Sequence, residues 1–248
     1  MKRIHESPVT HRIAAFICGL CLIFILLITA TQAVCYWIPG WWSREYTKYD
    51  TPSKVNGEMS LDDAVKVTED MLEYCIGRLD TLDNSTAVID GVEQPFFTDR
   101  EKSHLYDCRV LFGKAIRARA IALLFLVAFS VYLYVHLGKG GAEALLAKGY
   151  LKAIAFSVAA AVIMGILCVI DFTAVFTEFH HIFFDNDLWI LDPAKDNLIN
   201  IMQEDVFFDA AKWIAGIWLA VCAIIAVDAV FIIRRPQPAL EKNITSEE

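Results

Sequence analysis

The stretch IAAFICGLCLIFILLITATQAVCYWIPGWWS, residues 13–43, contains no charged side chain. A helix needs about 20 apolar residues to cross the ~30 Å hydrocarbon core of a bilayer, so this stretch is long enough to span a membrane. Residues 120–138 and 153–170 are also uncharged, and residues 213–233 contain a single charged residue, Asp228. Hydrophobic residues make up 56% of the 248-residue chain, a larger share than in most soluble domains. The sequence therefore predicts an all-α integral membrane protein with a single domain and four transmembrane helices, at about 13–36, 118–137, 151–175 and 213–233.

The distribution of basic residues predicts the orientation of these helices, because cytoplasmic loops carry an excess of lysine and arginine. Such residues lie before the first helix, between the second and third, and after the fourth: Lys2, Arg3, Arg12, Lys139, Lys148, Lys152, Arg234 and Arg235. Segments 37–117 and 176–212 are rich in acidic residues instead. We therefore expect cytoplasmic termini, with these two extracytoplasmic segments forming a helical cap. Lys114, Arg117 and Arg119 at the outer end of the second helix oppose this orientation, unless they bind phospholipid headgroups or extend to the interface.

The first outer segment is predicted to contain a capped amphipathic helix. Ser60 can cap this helix, and the residues that follow alternate between apolar and acidic positions at helical spacing. Residues 80–91 are rich in Asp, Asn, Ser and Thr, which predicts a loop. A second helix is expected over residues 96–112, running into the second transmembrane helix. Cys75 and Cys108 lie outside the membrane in this topology, where they either pair in an oxidising compartment or remain free thiols.

The second outer segment places histidines, carboxylates and aromatic rings next to the membrane, where residues 179–187 read FHHIFFDND. A phenylalanine recurs every three or four residues from Phe172, so we expect the third transmembrane helix to continue into this segment. Asp192-Pro193 predicts the start of a short amphipathic helix. Asp171 lies at membrane depth on the same side as the histidines, and acids at such depth are functional candidates.

Another histidine, His104, precedes the second transmembrane helix. His104 and Asp107 are three residues apart on a predicted helix and share one face. A carboxylate can hold one imidazole nitrogen as a donor and leave the other as an acceptor, which is the arrangement that a general base requires. The alternative is an ordinary His–Asp contact at the exposed start of a helix. In the second outer segment, His180 joins the apolar face, whereas His181 is turned toward Asp185.

Two blocks of the sequence resemble the bacterial lipoprotein intramolecular transacylase family. The first block is His104-Leu105-Tyr106-Asp107, before the second transmembrane helix. The second block follows the third helix and comprises Phe179-His180, Phe183-Phe184, Asn186, Trp189, Asp192-Pro193 and Asp196. The four predicted helices and the two outer segments also agree with this family, so the likeness covers almost the whole chain.

The resemblance implies a multi-pass enzyme of the bacterial cell membrane whose active site lies at the outer face. The enzyme would move the 2-position acyl chain of a lipoprotein's S-diacylglyceryl N-terminal cysteine to the α-amino group, giving the N-acyl lyso form. The family's paired catalytic histidines correspond to His104 and His180. Neither a cofactor nor a metal is implied, and the partners are the diacylated lipoprotein and the phospholipid bilayer rather than nucleic acid. Supporting roles are expected for Asp107, Arg109, His181, Asn186, Trp189 and Asp171.

The residue chemistry is compatible with such a transfer. The sequence contains no Gly-x-Ser-x-Gly motif, and no serine or cysteine stands in a recognisable nucleophile setting, so an acyl-enzyme is not indicated. One neutral imidazole could take the proton from the attacking amine, and the other, or Arg109, could stabilise the oxyanion. Either histidine could be the base; Asp107 favours His104.

Two other classes of function remain as alternatives. An extracytoplasmic metal-dependent hydrolase would use His104, His180 and His181 with Asp185 or Asp187, although the compact His-Glu-x-x-His motif is absent. A non-enzymatic membrane scaffold would bind a partner through the phenylalanine stripe. Metal analysis of the purified protein would distinguish the metal-dependent hydrolase from the transacylase. Replacement of the histidines without any phenotype would favour the scaffold.

Overall fold

The computed structural model describes residues 8–235 and is almost entirely helical. The elements in chain order are α1 (Val9–Gln32), a π-helical turn (Ala33–Trp37), α2 (Trp41–Lys48), a 3-10 turn (Thr51–Lys54), α3 (Leu61–Cys75), β1 (Thr86–Ile89), β2 (Val92–Pro95), α4 (Asp99–Ile170), α5 (Phe172–Phe183), α6 (Leu198–Ile201) and α7 (Glu204–Arg234). Within the described residues, α1 with its π-helical turn, α4 and α7 are long and apolar enough to cross a membrane. Lys2 and Arg3, which contribute to the predicted orientation, lie outside the described residues.

Helix α4 is interrupted at Gly138 and consists of two helical arms, residues 99–137 and 139–170. Gly138 has φ 67° and ψ 173°, angles that a residue without a Cβ atom adopts at little steric cost. Both arms pack against α1, because one apolar cluster contains buried residues from all three: Ala14, Ala15, Leu133, Ala142 and Leu145. The chain therefore turns back on itself at Gly138.

A glycine allows α1 and the second arm of α4 to approach each other closely. A Cβ atom at Gly149 would lie 2.4 Å from the backbone carbonyl of Ala15. Small residues at helix crossings are typical of packed membrane helices, where backbones come close without a hydrophobic driving force. Helix α7 also packs on α1, since the indole nitrogen of Trp218 donates a hydrogen bond to the Ile23 carbonyl oxygen at 3.1 Å.

A second apolar cluster lies beyond these long helices and is formed by α2, α3, β1, the first turns of α4, α6 and the start of α7. Its most completely buried side chains include Trp41, Tyr46, Val67 and Phe96. The carboxylate of Asp209, near the start of α7, joins this cluster to the long helices. Asp209 is paired with three side chains: Lys48, Tyr49 and Lys212.

The first outer segment agrees with the sequence in its helix but not in its loop. The Ser60 side chain accepts a hydrogen bond from the Asp63 amide, which confirms the predicted cap of α3. The prediction of a loop over residues 80–91 is wrong in its second half, because β1 and β2 form an antiparallel hairpin. Asp90 and Gly91 at its turn have φ 54° and 76°, the positive values of a type I′ turn, for which Asp-Gly is a strong sequence signal.

Two helix boundaries in the second outer segment also differ from expectation. The third transmembrane helix was expected to extend unbroken through residue 175, but α4 ends at Ile170 and Asp171 has a non-helical backbone. The Asp171 side chain accepts from the Ala174 amide at 2.9 Å and so caps a new helix, α5. Similarly, Asp192 accepts from the Ala194 amide and forms a local turn, so the helix expected at Pro193 begins only at Leu198.

Substitution of Gly149 tests the close crossing of α1 and α4. Gly149→Ala should lower the free energy of unfolding by about 1–3 kcal/mol, because the added methyl group has no space against Ala15. Gly216→Ala in α7 is the matched control, since a Cβ atom there meets nothing within 4 Å. Thermal unfolding in detergent measures both variants, and equal stability of the two would contradict the crossing.

Candidate active site

The ends of two helices bring His104 and His180 together. His104 lies in the second turn of α4, and His180 lies in the last turn of α5. Their ring centroids are 5.9 Å apart, and both side chains are buried, with 7% and 5% of their surface exposed. Two imidazoles from segments distant in sequence therefore share one water-poor site.

Aromatic rings surround the histidine pair. Phe184, which ends α5, lies with its ring centroid 5.3 Å from that of His104 and 5.5 Å from that of His180. The Trp189 indole stacks on His180 at 4.7 Å, and the Phe176 ring lies 4.3 Å from His180. These contacts remove water from both imidazoles without supplying a counter-charge.

Burial lowers the pKa of both histidines. The pKa of His104 falls to about 4 because of desolvation, and the neighbouring His180 lowers it further while Asp107 opposes the shift. Desolvation also lowers the pKa of His180 below its usual value. Both rings are therefore neutral at pH 7, since the ordinary pKa of histidine is already ~6.5.

Hydrogen bonds assign different roles to the ring nitrogens. His180 Nδ1 lies 2.7 Å from the Phe176 carbonyl oxygen. A carbonyl oxygen only accepts, so Nδ1 carries the proton and Nε2 is left as an acceptor. His104 Nε2 lies 3.6 Å from the Cys108 sulfur, whereas His104 Nδ1 is buried without a hydrogen-bond partner among the described residues. A buried nitrogen of this kind is suited to bind a ligand.

The cysteines near the site are free thiols. Burial raises the pKa of Cys108 to about 12, with a further contribution from Asp107. Cys108 is therefore protonated and can donate to His104 Nε2. Cys75 and Cys108 are both unbridged in the structure.

Asp107 and Asn186 contact each other rather than the histidines. The Asn186 side-chain amide donates to Asp107 at 2.9 Å, and its oxygen accepts from the Leu188 backbone amide. The expected contact between Asp107 and His104 is not formed, so Asp107 does not fix the His104 tautomer through a hydrogen bond. Instead, this pair ties the segment after α5 to the face of α4 that carries His104.

Arg109 and Asp171 lie away from the histidine pair. The Arg109 guanidinium donates to the carbonyl oxygens of Leu79 and Asp80 and lies 4.7 Å from the ring centroid of Tyr74. On α4 it is rotated about 140° from His104, so the expected oxyanion role does not fit its position. Asp171 caps the start of α5, and nine residues of helix, about 13 Å, separate it from His180.

Trp189 and His181 occupy different positions in the site. Trp189 packs directly on His180, as described above, and the His181 ring approaches the indole edge-on at 5.4 Å. The His181 side chain is exposed, in contrast to the buried His180. Its predicted orientation toward Asp185 gives no hydrogen bond among the described residues. Nor does any group of three His, Cys, Asp or Glu side chains within residues 8–235 have a metal-binding arrangement.

Comparison with known proteins identifies the family of the chain. The family model of the lipoprotein intramolecular transacylase Lit matches residues 16–208. The chain belongs to this family. The lipoprotein intramolecular transacylases are acyltransferases, and this member is therefore an enzyme and a multi-pass bacterial membrane protein. No curated protein matches the chain in sequence.

Solved structures of the transacylase Lit from Bacillus cereus share the fold. One is 20% identical, with a TM-score of 0.67, and the match covers 90% of this chain and 96% of that chain. Two others carry a histidine-to-alanine and a histidine-to-arginine mutation; each is 18% identical with a TM-score of 0.68, over 90% of this chain and 94% or 92% of the other. At this level of identity the likeness concerns the arrangement of the helices.

Sequence reasoning overlooked Glu101, which is completely buried three residues before His104. The signal was present, since Thr98 and Glu101 have the spacing of a capping box, and the structure contains that box. Its carboxylate also reaches a second segment of the chain, which the local pattern does not reveal.

The neutral state of the histidine pair is directly measurable. NMR spectra of histidine-labelled protein should give a pKa of about 4 for His104, with His104→Gln and His180→Gln used for assignment. Because the unfolded chain protonates these rings near pH 6.5 and the folded protein does not, stability should decrease as the pH falls from about 6.5 toward 4. A His104 pKa above 6.5 would contradict the desolvated pair.

Proposed function

We propose that this enzyme transfers the acyl chain from the glyceryl 2-position of a lipoprotein's S-diacylglyceryl N-terminal cysteine to its α-amino group. The observation that carries the proposal is the pair of buried, neutral imidazoles, of which His180 offers an acceptor and His104 an unpaired nitrogen. An aminolysis needs these two functions: a base for the amine proton and a donor for the carbonyl oxygen. Family membership supports the same reaction class.

The reaction proceeds without an acyl-enzyme. As the α-amine attacks the ester carbonyl, a C–N bond forms and the amine proton passes to His180 Nε2. The N–H of His104 Nδ1 donates to the oxyanion while the Cys108 thiol donates to its Nε2. Collapse of the intermediate breaks the bond to the glyceryl oxygen, which takes the proton back from His180. Cys108 is not a nucleophile in this scheme, because its raised pKa keeps it protonated.

This assignment reverses the preference for His104 as the base. That preference depended on a hydrogen bond from His104 to Asp107, but the Asp107 carboxylate is bonded to Asn186. His180 has the fixed tautomer instead, through the Phe176 carbonyl oxygen. A base that is neutral at pH 7 and already oriented needs no further rearrangement before proton transfer.

We propose that the chain crosses the membrane four times, through α1, the two arms of α4 and α7. A straight helix of 72 residues would be about 108 Å long, far more than a ~30 Å hydrocarbon core requires. The turn at Gly138 and the packing of both arms on α1 support two crossings. The basic residues near the ends then favour cytoplasmic termini and an active site at the outer face.

Hydrophobic side chains next to the histidines suggest how the substrate's acyl chain is held. Phe179, Ile182 and Phe183 on α5 are exposed by 41%, 73% and 50%, although His180 between them is buried. An apolar surface of this kind beside a polar reacting centre suits a lipid tail. We propose that acyl chains reach the site laterally, between the outer ends of the second and third crossings.

Substitution of the two histidines tests the reaction. His104→Ala and His180→Ala should each reduce formation of the lyso lipoprotein by at least a hundredfold without loss of expression. His181→Ala is the matched control and should retain much of the activity. Mass spectrometry of the lipoprotein's N-terminal peptide measures the product, and full activity of either buried-histidine variant would remove that residue from the mechanism.

Chelators should leave the activity intact. A loss of activity in chelator that is reversed by adding zinc would favour the metal-dependent alternative.

Substitution of Phe183 tests the lateral route. Phe183→Asp should lower acyl transfer severalfold, because binding of the lipid tail against this surface would remove water from the introduced carboxylate. Val92→Asp in the hairpin is the control, since Val92 is also exposed, by 63%, but lies in a separate part of the fold. Equal activities of the two variants would show that the tail binds elsewhere.

Reporter fusions test the four-crossing topology. A fusion at Gly141, next to the turn of α4, should give a cytoplasmic signal, and fusions near Asn84 and Lys195 should give external signals. An external signal at Gly141 would contradict both the orientation and the location of the active site.

A further inference from the structure

The side chain of Glu101 is completely buried, with 0% of its surface exposed, and lies one helical turn before His104. One of its oxygens accepts a hydrogen bond from the Thr98 amide at 2.5 Å, within the capping box of α4. The other accepts from the backbone amide of Leu198, which begins α6. The carboxylate therefore connects two segments that are nearly a hundred residues apart in sequence.

The segment that Glu101 holds is the one that covers the histidines. Residues 184–203 connect α5 to α7 and include α6. This segment carries Phe184, which packs on both imidazoles, and Trp189, which stacks on His180. Its position relative to α4 therefore determines how these two aromatic rings lie against the histidine pair.

Other contacts between α4 and residues 184–203 surround Glu101. The Thr98 hydroxyl donates to Asp196 at 3.1 Å, and Asp196 in turn accepts from the Asp192 amide. The side chains of Arg100 and Asn186 also bridge the two segments, but they lie at the exposed edge, where water competes for each hydrogen bond. Glu101 provides the buried link among them, and its two bonds are charge-assisted.

Both oxygens of Glu101 face N–H donors, so the site requires a carboxylate rather than an amide. Burial raises the pKa of Glu101, and the hydrogen bonds from Leu198 and Thr98 oppose this shift. Replacement by glutamine would retain the shape but point an NH2 group at one of the two backbone N–H groups. That link would be lost, and a buried donor would be left without an acceptor.

We propose that Glu101 is a positioning residue for the transacylase reaction: its carboxylate fixes residues 184–203 against α4 and so sets the geometry of the His104–His180 pair. This inference rests on the proposed function. Small displacements of reacting groups are costly in such a transfer, because a shift of about 1 Å can reduce the rate a hundredfold. The acyl-binding surface of α5 is separate from this link and should be little affected.

Kinetics of Glu101→Gln with a diacylated lipopeptide in detergent micelles test the inference. We expect kcat to fall at least tenfold while KM stays within twofold of the wild-type value. Asp99→Asn is the matched control, because Asp99 is fully exposed in the same first turn of α4, and it should keep both constants within twofold. Glu101→Asp retains the charge but is too short to reach both amides, so its kcat should lie between those of Glu101→Gln and the wild type. An unchanged kcat in Glu101→Gln, or an equal fall in Asp99→Asn, would overturn the proposal.

Histidine NMR gives a readout that does not depend on activity. Glu101→Gln should shift the His104 and His180 resonances and raise their pKa toward the ordinary value as water enters, whereas Asp99→Asn should leave both unchanged. Identical histidine spectra in Glu101→Gln and wild type would overturn the positioning role. If wild type lacks acyl transfer but the resonances shift, the proposed function fails while the structural link stands.

Discussion

The hydrogen bond from His180 Nδ1 to the Phe176 carbonyl oxygen is the interaction on which the chemistry of this site depends. It lies within one turn of α5, so the helix itself fixes the tautomer of the ring. The surrounding aromatic side chains exclude water and keep the imidazole neutral, which leaves Nε2 free to accept a proton. His104 enters the same water-poor space from α4 with a buried nitrogen that lacks a partner among the described residues.

The long helices place the start of α4, which carries His104, beside the end of α5, which carries His180. The turn at Gly138 returns the second arm of α4 to α1, and the close contact of Gly149 with Ala15 holds that arm there. The arm ends at Ile170, and the capped helix α5 then carries His180 to the start of α4. The first turns of α4 also form part of the outer apolar cluster, so the position of His104 is fixed by that cluster as well as by the long helices.

The sequence correctly predicted an almost entirely helical chain with long apolar helices, and three described helices are long and apolar enough to cross a membrane. This part was predictable because each crossing requires an uncharged run of a characteristic length, which is visible within a single segment of the sequence. The sequence was less successful where two signals compete locally. The Asp-Gly turn of the hairpin was hidden within a polar segment, and Asp171 was placed inside the third transmembrane helix although it caps α5. In both cases a short motif determined the structure against a longer pattern.

Contacts in the site were harder to predict, because they join positions far apart in the chain. Spacing along α4 suggested that Asp107 would hold His104, yet Asp107 binds Asn186, 79 positions later. The pairing of His104 with His180 was implied by the family resemblance and not by local pattern. Glu101 shows the same limit, since the capping box is visible in the sequence but the bond to Leu198 depends on the fold.

Isotope labelling of the substrate tests the central claim most directly. A synthetic lipopeptide would carry a deuterated acyl chain at the glyceryl 2-position and an unlabelled chain at the other, and would be mixed with an equal amount of fully unlabelled lipopeptide that has a different peptide sequence. Tandem mass spectrometry after reaction with the purified enzyme should find the deuterated chain on the α-amino group of its own peptide, with the glyceryl 2-position free. Deuterated chains on the second peptide, or release of free fatty acid instead of N-acylation, would contradict direct intramolecular transfer.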